Sequence, residues 1–314
     1  MKNKYLFGPV PSRRLGLSLG IDLVPLKTCS FNCIYCECGA TTRLTVSRRE
    51  YVPTEKVIKE LDNFLSAKPE LDFITFAGSG EPTLHSKIGD IIAFIKDSYP
   101  QYKVCVLTNG SLFHLKSVRD SLKRADKVIP SLDAASVSVW KKLNRPHPAL
   151  NLKKLIKGLE IFSRDYAGDY AVEVFIAPGV NDSREELAKL KKALIKINPS
   201  SVQLNSLARP GAETSVSGVA GRELKKIADF FAPLKVELAG APSKKRSPTF
   251  KKDLADKIVS AVSRRPLTLS DIAALTGMRI VELAKIIDAL CSSGRVVLKN
   301  QGGKNFIKAA GKKT

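Results

Sequence analysis

The sequence lacks long apolar runs. None of its hydrophobic stretches approaches the roughly 18 consecutive apolar residues that a membrane-spanning helix needs, so we expect no membrane insertion. Near the N-terminus, Tyr5, Leu6 and Phe7 are followed at once by Gly8 and Pro9, which leaves no apolar core for a signal peptide. These two absences predict a cytoplasmic protein.

Histidine is scarce. The chain has three histidines in 314 residues, His85, His114 and His147, and they lie far apart beside prolines and predicted helix starts. Each position is more typical of a loop or a cap than of a catalytic base. No Ser/His/Asp arrangement is therefore indicated.

Acidic residues are outnumbered. The chain has 30 acidic against 52 basic side chains, a net charge of +22. Residues 241–314 hold 16 basic and 5 acidic side chains, so half of the net charge falls on a short C-terminal part. Such an excess suggests a polyanionic partner, although lysines scattered over a solvated face give the same count.

A change of composition divides the chain. Residues 241–249 form a Pro/Ser/Lys segment that is poorly suited to a helix interior and has the composition of an exposed linker. We therefore predict a large domain at residues 1–240 and a small domain at 250–314. The hydrophobic fraction of 44% allows both to bury an ordinary core.

Hydrophobic periodicity in the large part alternates short β-branched runs with amphipathic stretches. It predicts strands at Leu17–Val24, Leu71–Ala77, Lys103–Leu107, Lys127–Ser131, Ala171–Ala177 and Ser201–Leu204. It predicts helices at Pro53–Ala67, Ser86–Ser98, Leu115–Lys123, Leu152–Ser163, Arg184–Ile197 and Arg222–Phe231. Six β/α units predict an α/β fold with a parallel sheet, either doubly wound or curved into an incomplete barrel.

Polar or glycine-rich residues follow every predicted strand. After the cysteine-rich loop come Gly78–Pro82, Thr108–Gly110, Leu132–Asp133, Pro178–Asp182 and Asn205–Ser206. Any one of these could be an ordinary turn. Six in succession at the carboxyl ends of parallel strands predict a functional site there.

The small part has the pattern of a winged helix-turn-helix domain. We predict helices at 250–263, 270–275 and 279–292, then strands at 295–298 and 305–307 joined by a turn at Gly302 and Gly303. Thr268–Asp271 offers capping chemistry for the middle helix. If the domain binds nucleic acid, the residues expected to contact phosphates are Arg279, Lys285, Arg295, Lys299 and Lys304; a protein-docking module is the alternative.

Four of the six cysteines are crowded into ten residues. The six are Cys29, Cys33, Cys36, Cys38, Cys105 and Cys291, of which the last two lie in apolar elements as small hydrophobes. The C-x3-C-x2-C spacing of Cys29, Cys33 and Cys36 allows one loop to hold three corners of a cubane cluster and leaves the fourth iron open. The alternative is a closed four-thiolate zinc site that includes Cys38. Zinc motifs usually come as two separated pairs, which favours the cluster.

The segment Cys29–Cys36, with aromatic Tyr35 before the last cysteine, resembles the hallmark of the radical S-adenosylmethionine (SAM) superfamily. The resemblance covers most of residues 5–212 and implies a partial (β/α)6 TIM-type barrel. It implies that Cys29, Cys33 and Cys36 bind a [4Fe–4S] cluster, whose fourth iron is chelated by SAM. It also implies that Tyr35 lies near the adenine.

The loop Gly78–Pro82 is similar to a glycine-glycine-glutamate motif of the same superfamily. The resemblance implies that Ser79, Gly80, Glu81 and Pro82 surround the SAM amino group, since glycines allow close backbone approach and an acidic group accepts from an ammonium. Further residues fall at strand ends where relatives hold the ribose, adenine or methionine part of SAM; helix capping is their alternative role. These residues are Asn109, Ser131, Asp133, Asn181 and Asn205.

Five segments narrow the resemblance to the branch that includes the enzymes forming the tricyclic wyosine base of tRNA. They are Phe7–Gly16, Ser79–His85, Pro130–Ala134, Asn144–His147 and Ala208–Pro210. Those enzymes carry further cysteines upstream for a second cluster, whereas no cysteine precedes Cys29 here. The chain therefore resembles a short form of that branch.

The resemblance implies reductive cleavage of SAM to a 5′-deoxyadenosyl radical, which abstracts hydrogen from a substrate. It implies a one-electron donor such as ferredoxin or flavodoxin. The basic C-terminal part favours tRNA or other RNA as the large substrate, and a protein or peptide is the alternative within the same chemistry. A hypothesis of another class is a metal-dependent DNA-binding regulator with a winged helix.

Overall fold

The architecture comes from a computed structural model that describes residues 5–12, 14–208, 211–238, 254–278, 280–301 and 304–310. The strands, in chain order, are β1 (Leu6–Ser12), β2 (Gly16–Ile21), β3 (Thr28–Cys29), β4 (Arg43–Leu44), β5 (Phe73–Phe76), β6 (Val104–Thr108), β7 (Lys127–Pro130), β8 (Asp169–Ile176), β9 (Ser201–Ser206), β10 (Val236–Leu238), β11 (Leu267–Thr268), β12 (Val296–Gln301) and β13 (Lys304–Ala309). The α-helices are α1 (Thr54–Leu65), α2 (Ile88–Ser98), α3 (Lys116–Leu122), α4 (Val137–Leu143), α5 (Leu152–Asp165), α6 (Arg184–Ile197), α7 (Gly221–Phe230), α8 (Leu254–Arg264), α9 (Leu269–Thr276) and α10 (Ile280–Ser292).

An eight-stranded sheet organises the large part. Its order is β1-β2-β5-β6-β7-β8-β9-β10, so strand order follows chain order. The strands from β2 to β10 pair in parallel, whereas β1 pairs antiparallel with β2. The result is a mixed α/β fold of the partial TIM-barrel type, which confirms the predicted fold class.

The six predicted strands and six predicted helices are all present, with ends that differ by a few residues. Five strands and α-helices of the large part were not predicted: β1, β3, β4, β10 and α4. The edge strand β1 contains Pro9 and Pro11, and proline normally argues against a strand; it is tolerated here because an edge strand does not need every N–H.

The helices cover the sheet through regularly spaced apolar residues. Helix α1 buries Val57, Leu61 and Leu65, which recur every four residues along one face. Helix α6 is capped at its N-terminus by Ser183, whose side chain accepts from the backbone N–H of Glu186, and at its C-terminus by Asn198 in the left-handed conformation. In the described ranges, every helix is too short or too polar to span a membrane.

A small group of apolar side chains in the barrel packs apart from the main core. Leu15, Cys105, Ile129 and Ala171 form this separate buried cluster. Cys105 is fully buried, as expected of a small hydrophobe.

The C-terminal part has its own core. Its buried residues with the lowest exposure come from three helices and two strands: Ile258, Val262, Ile272, Leu283, Val296 and Ile307. Strands β11, β13 and β12 form an antiparallel sheet in that order. This order of elements is the one expected of a winged helix, and the assignment of that domain remains a prediction.

The capping chemistry expected at the middle helix of this part is present. Thr268 and Asp271 form a reciprocal capping box at the start of α9. The predicted linker 241–249, Arg279, Gly302 and Gly303 lie outside the described residues.

The C-terminal part packs against the barrel at its β1 edge. Helices α8 and α9 contact β1. The guanidinium of Arg264, at the end of α8, lies 4.6 Å from the ring centroid of Phe7 in β1. This contact places residues of the C-terminal part beside the barrel interior.

Candidate active site

The cysteine loop leaves β3 and is tied to three other parts of the barrel. Cys29 ends β3, and the backbone N–H of Cys36 donates to the carbonyl of Cys33 at 3.2 Å. Each of the three thiols has its own side-chain N–H donor: Lys27 Nζ lies 3.1 Å from Cys36 Sγ, Asn109 Nδ2 lies 3.5 Å from Cys29 Sγ, and Asn144 Nδ2 lies 3.5 Å from Cys33 Sγ. The three donors come from three positions along the chain: Lys27 just before β3, Asn109 after β6 and Asn144 after α4.

The donor set suits a cluster better than a single ion. Within the described part of the chain, no group of three or more His, Cys, Asp or Glu side chains is placed to hold one metal ion. A four-thiolate zinc site would need all its sulfurs at about 2.3 Å from one point. A cubane binds each thiolate through a separate iron, and N–H donors to the sulfurs are among the groups that tune its potential. The residues present therefore fit a [4Fe–4S] cluster on Cys29, Cys33 and Cys36.

The three thiols have different electrostatic surroundings. Burial raises the pKa of Cys29 to about 12 and raises the pKa of Cys33 well above its usual value. A hydrogen bond from Cys38 and the nearby Lys27 ammonium lower the pKa of Cys36 to about 5. Lys27 is itself buried, which lowers its pKa, but the charge of Cys36 outweighs this and the pKa of Lys27 is raised. Lys27 and Cys36 therefore stabilise each other as an ion pair.

The glycine-rich loop after β5 lies against the cysteine loop. Lys27 N–H donates to the carbonyl of Ser79 at 2.9 Å, and Glu81 N–H donates to the carbonyl of Thr28 at 3.1 Å. Gly80 is required here, because a Cβ at this position would collide with the Thr28 carbonyl oxygen. The N–H and hydroxyl of Ser79 donate to Asp22 Oδ2 at 3.2 and 2.6 Å. The predicted SAM-binding loop and the cluster loop are thus one bonded unit.

Glu81, which was predicted to lie near the SAM amino group, is hydrogen-bonded to the loops after two neighbouring strands. Its carboxylate accepts from the N–H and hydroxyl of Thr83, from the hydroxyl of Thr108 and from the N–H of Asn109, at 2.5 to 2.9 Å. The residue is 2% exposed. Three of these donors share Oε1, and the N–H of Asn109 donates to Oε2, so Glu81 positions the loops after β5 and β6; its contact with the SAM ammonium stays a prediction. Pro82 opens the short 3-10 helix Pro82–Leu84 behind it.

Tyr35 and Asp133 form the opposite wall of the site. The Tyr35 hydroxyl donates to Asp133 Oδ2 at 2.5 Å, and its ring stacks on Phe175 with centroids 3.8 Å apart. Asn144 Nδ2 and the Phe175 N–H donate to the same carboxylate at 2.7 and 2.9 Å. Burial raises the pKa of Asp133, although all these donors favour its charged form.

The other predicted SAM contacts differ in their placement. Asn181 is completely buried, and its side chain bonds only to backbone groups of Asp133, Phe175 and Ala177 in the described structure, so it holds two loops together and presents no polar atom to a ligand. Ser131 follows β7, and Asn205 lies near the end of β9. Both are at the expected edge of the sheet, and their contact with SAM stays a prediction.

Three residues of the site were not predicted as site residues, although Asn144 lies in one of the segments that carry the family resemblance. Asp22 and Lys27 are two charged residues that precede the cysteine loop in the sequence. Their burial depends on tertiary packing. Asn144 follows α4, which itself was not predicted, and reaches both Cys33 and Asp133. Its adjacency to the motif residues is visible only in the folded chain.

A partial barrel with three loop thiols at the carboxyl ends of its strands defines an iron–sulfur barrel enzyme. Comparison with known proteins agrees. The radical SAM superfamily model matches residues 23–193, more than half of the chain. A crystal structure of a radical SAM methyltransferase from Sphaerobacter thermophilus superposes with a TM-score of 0.54 at 17% identity, covering 70% of this chain and 65% of that one; at that identity the likeness shows the fold alone.

Two relatives are similar over nearly the whole chain. A UPF0026 protein of Helicobacter pylori J99 is 33% identical over 307 residues, covering 96% of both chains. The GTPase Obg of Brachyspira hyodysenteriae is 36% identical over 299 residues, covering 94% of this chain but 44% of that relative, so the chain spans less than half of that protein. The chain belongs to the radical SAM superfamily, whose enzymes use a [4Fe–4S] cluster and SAM.

Proposed function

We propose that this radical SAM enzyme modifies an RNA, with tRNA as the first candidate, and that its C-terminal part is a winged helix that holds the RNA. The observation that carries the proposal is the basic C-terminal part, which packs directly against the barrel beside the candidate site. The sequence resemblance to the wyosine-forming branch supports the same substrate class. The chain spans less than half of one relative, so RNA modification is proposed for this chain and not for that longer protein.

The described residues have defined tasks in such a reaction. When bound, the cluster and SAM together supply a carbon-centred radical. Cys29, Cys33 and Cys36 hold the cluster, while Lys27 offsets negative charge at Cys36. Ser79 lies between Gly78 and Gly80, and this loop packs against the cysteine loop. Because glycine has no side chain, a bound SAM molecule can approach the backbone of the loop closely. Tyr35 and Asp133 close the other side of the site and limit the access of water.

The strand pair β12–β13 offers basic groups to a polyanion. Lys299, Lys304 and Lys308 are exposed on these two strands. Val297 and Leu298 are 46% and 54% exposed beside them. Exposed basic side chains clustered on one strand pair are typical of surfaces that contact nucleic-acid phosphates.

We also propose a docking surface for an acidic one-electron carrier such as a ferredoxin or flavodoxin. Leu26 and Leu44 are 62% and 39% exposed, and Leu44 pairs with Cys29 across β3 and β4. Arg43 and Arg49 are exposed, and both lie over the Tyr51 ring, with their guanidinium carbons 5.7 and 4.7 Å from the ring centroid. One short strand therefore separates a cluster ligand from a basic and partly apolar surface.

The test of RNA modification is anaerobic. Reconstituted enzyme is incubated with SAM, reductant and a tRNA fraction from cells lacking the enzyme, and nucleosides are then compared by mass spectrometry. We expect a new nucleoside and a rise in deoxyadenosine formation with tRNA but not with a digest of cellular protein. A rise with protein alone would contradict the proposal and favour a peptide substrate.

The surface assigned to RNA has its own test. The triple change Lys299→Ala, Lys304→Ala and Lys308→Ala is expected to weaken RNA binding and to flatten its salt dependence, because each lost phosphate contact removes about 0.7 to 0.9 from the log–log slope. The matched control changes exposed Lys153, Lys154 and Lys196 of the barrel helices to alanine. Equal losses in the two triple variants would show that binding reflects net charge alone.

A further inference from the structure

A cavity of about 550 Å³ lies between the barrel and the C-terminal part. The inner face of β2, β5 and β6 lines one side, β1 lines another, and α8 and α9 close it. Its apolar wall residues include Leu6, Val10, Leu107, Leu254, Leu267 and Leu275. The volume falls in the range of about 300 to 1,000 Å³ that is typical of sites for small molecules.

The cavity borders the candidate active site. Gly78 and Cys38 line it, and the Cys38 thiol donates to the carbonyl of Gly78 at 3.5 Å. Ser18 and Thr75 also line it and share a hydrogen bond of 2.6 Å between their hydroxyls. A ligand bound in this cavity would therefore lie beside the cysteine loop and the loop Gly78–Pro82. The hydroxyls of Ser18 and Thr75 could hydrogen-bond to a polar group of that ligand.

Arg264 brings a positive charge into this cavity from the C-terminal part. Its side chain is 16% exposed, and its Nη1 donates to the hydroxyl and carbonyl oxygens of Ser260 at 2.8 and 3.2 Å. Its guanidinium lies over the Phe7 ring. Its Nε is buried and has no hydrogen-bond partner among the described residues. Arg264 is thus a mostly buried cation with one unsatisfied N–H in the described structure.

The nearest carboxylate does not satisfy this arginine. Asp22 Oδ2 is 3.8 Å from Arg264 Nε, beyond hydrogen-bond distance, and the same oxygen already accepts from the N–H and hydroxyl of Ser79. Burial lowers the pKa of Arg264 and raises the pKa of Asp22, as expected for charges that are incompletely compensated. The other charged residues that line the cavity are Glu37, Asp256, Lys257 and Arg265.

We infer that this cavity receives the target nucleotide, with the base between the apolar walls and its phosphate on Arg264. The inference rests on the proposed function, because a guanidinium recognises phosphate and carboxylate alike and the RNA proposal selects phosphate. The cavity has room for one nucleotide and not for an RNA helix, so the target leaves its stack to enter. The C-terminal part thereby contributes a specificity residue to the barrel.

The test measures binding of nucleoside 5′-monophosphates to the full chain by isothermal titration calorimetry, with the unphosphorylated nucleosides as the comparison. We expect at least one monophosphate to bind at least tenfold more tightly than its nucleoside. Arg264→Gln is expected to abolish that difference, and Arg264→Lys to restore part of it. The matched control is Arg124→Gln, an exposed arginine paired with Asp97 on the barrel surface, which is expected to behave as wild type.

A second variant covers the case in which Arg264→Gln fails to fold. Ser260→Ala keeps the charge and removes one partner of Nη1, so we expect a two- to fivefold loss of monophosphate affinity with nucleoside affinity unchanged. Equal binding of monophosphate and nucleoside by the wild type would overturn the inference. So would unchanged preference in a folded Arg264→Gln protein, or tighter binding of N-acetyl amino acids than of any nucleotide.

The outcomes separate this inference from the proposed function. In one outcome the protein binds RNA in a salt-dependent way through Lys299, Lys304 and Lys308, Arg264 makes no difference, and monophosphates are not preferred over nucleosides. That outcome supports the proposed function and shows that this inference is wrong. Monophosphate binding through Arg264 in a protein that captures no RNA contradicts the RNA proposal and retains the nucleotide site.

Discussion

The hydroxyl of Tyr35 donates a 2.5 Å hydrogen bond to Asp133 Oδ2, across 98 positions of sequence. Tyr35 directly precedes the cluster ligand Cys36, and Asp133 follows β7 on the far side of the barrel. The bond therefore fixes the end of the cysteine loop to the strand end that the sequence resemblance assigns to SAM. Phe175 supports both partners, through its ring and its backbone N–H.

Tyr35→Phe is expected to destabilise the protein by about 1 to 3 kcal/mol, because it removes a donor from a buried carboxylate. Urea unfolding of the two proteins measures the difference. The control is Tyr102→Phe, which removes a hydrogen bond to the neutral carbonyl of Pro69 and is expected to cost about 0.5 to 1.5 kcal/mol. A loss no larger than that of the control would contradict the role given to the Tyr35–Asp133 pair.

Changing Cys29, Cys33 or Cys36 singly to alanine is expected to abolish cluster binding, because three thiolates hold the cubane. Iron and sulfide analysis after anaerobic reconstitution measures this, with about four of each per chain in the wild type. Cys38→Ala is the matched control and is expected to retain the full content. Loss of iron in Cys38→Ala equal to that in the other three would assign Cys38 as a ligand and overturn the donor set.

Lys27→Gln is expected to lower the reduction potential of the bound cluster. The buried ammonium next to Cys36 Sγ favours the reduced, more negative state, so its removal makes reduction harder. A redox titration followed by electron paramagnetic resonance measures the shift. Lys68→Gln is the control, since Lys68 shares the positive φ of Lys27 but is exposed. Equal potentials in Lys27→Gln and the wild type would rule out this role.

Arg43→Glu is expected to slow reduction by a reduced flavodoxin or ferredoxin about tenfold, because it places an acidic group on the proposed docking surface. Reduction by dithionite, which needs no docking, is expected to be unchanged. Stopped-flow absorbance of the cluster measures both rates. Lys153→Glu makes the same charge change on α5 as a control. If both variants slow the protein donor equally, long-range charge explains the effect and the docking surface is wrong.

The barrel could be predicted well from the sequence, because the patterns that indicate its strands and helices lie within short segments of chain. The period of the apolar residues identifies all six β/α units, and the cysteine spacing identifies the cluster loop without any tertiary knowledge. Strand β1 was not predicted because it contains two prolines. Proline argues against a central strand but is compatible with an edge strand, and the sequence does not show which of the two β1 is. The three residues of β10 are too few to form a recognisable pattern.

The inner arrangement of the site could not be predicted from sequence. Glu81 and Asn181 stand at strand ends, where a ligand contact and a positioning role have the same sequence signature. The fold decides which partners they meet: Glu81 accepts from Thr108 and Asn109, whereas Asn181 donates to the carbonyls of Asp133 and Phe175. Arg264 is one arginine of a basic C-terminal part, and its place in the cavity depends on how that part packs against β1.

The most direct test is the formation of 5′-deoxyadenosine by the anaerobically reconstituted full chain with SAM and dithionite. We predict that the product appears with the wild type and is reduced to background in Cys33→Ala. A well-folded wild-type protein that holds zinc without sulfide, fails to bind SAM and yields no 5′-deoxyadenosine would contradict the account.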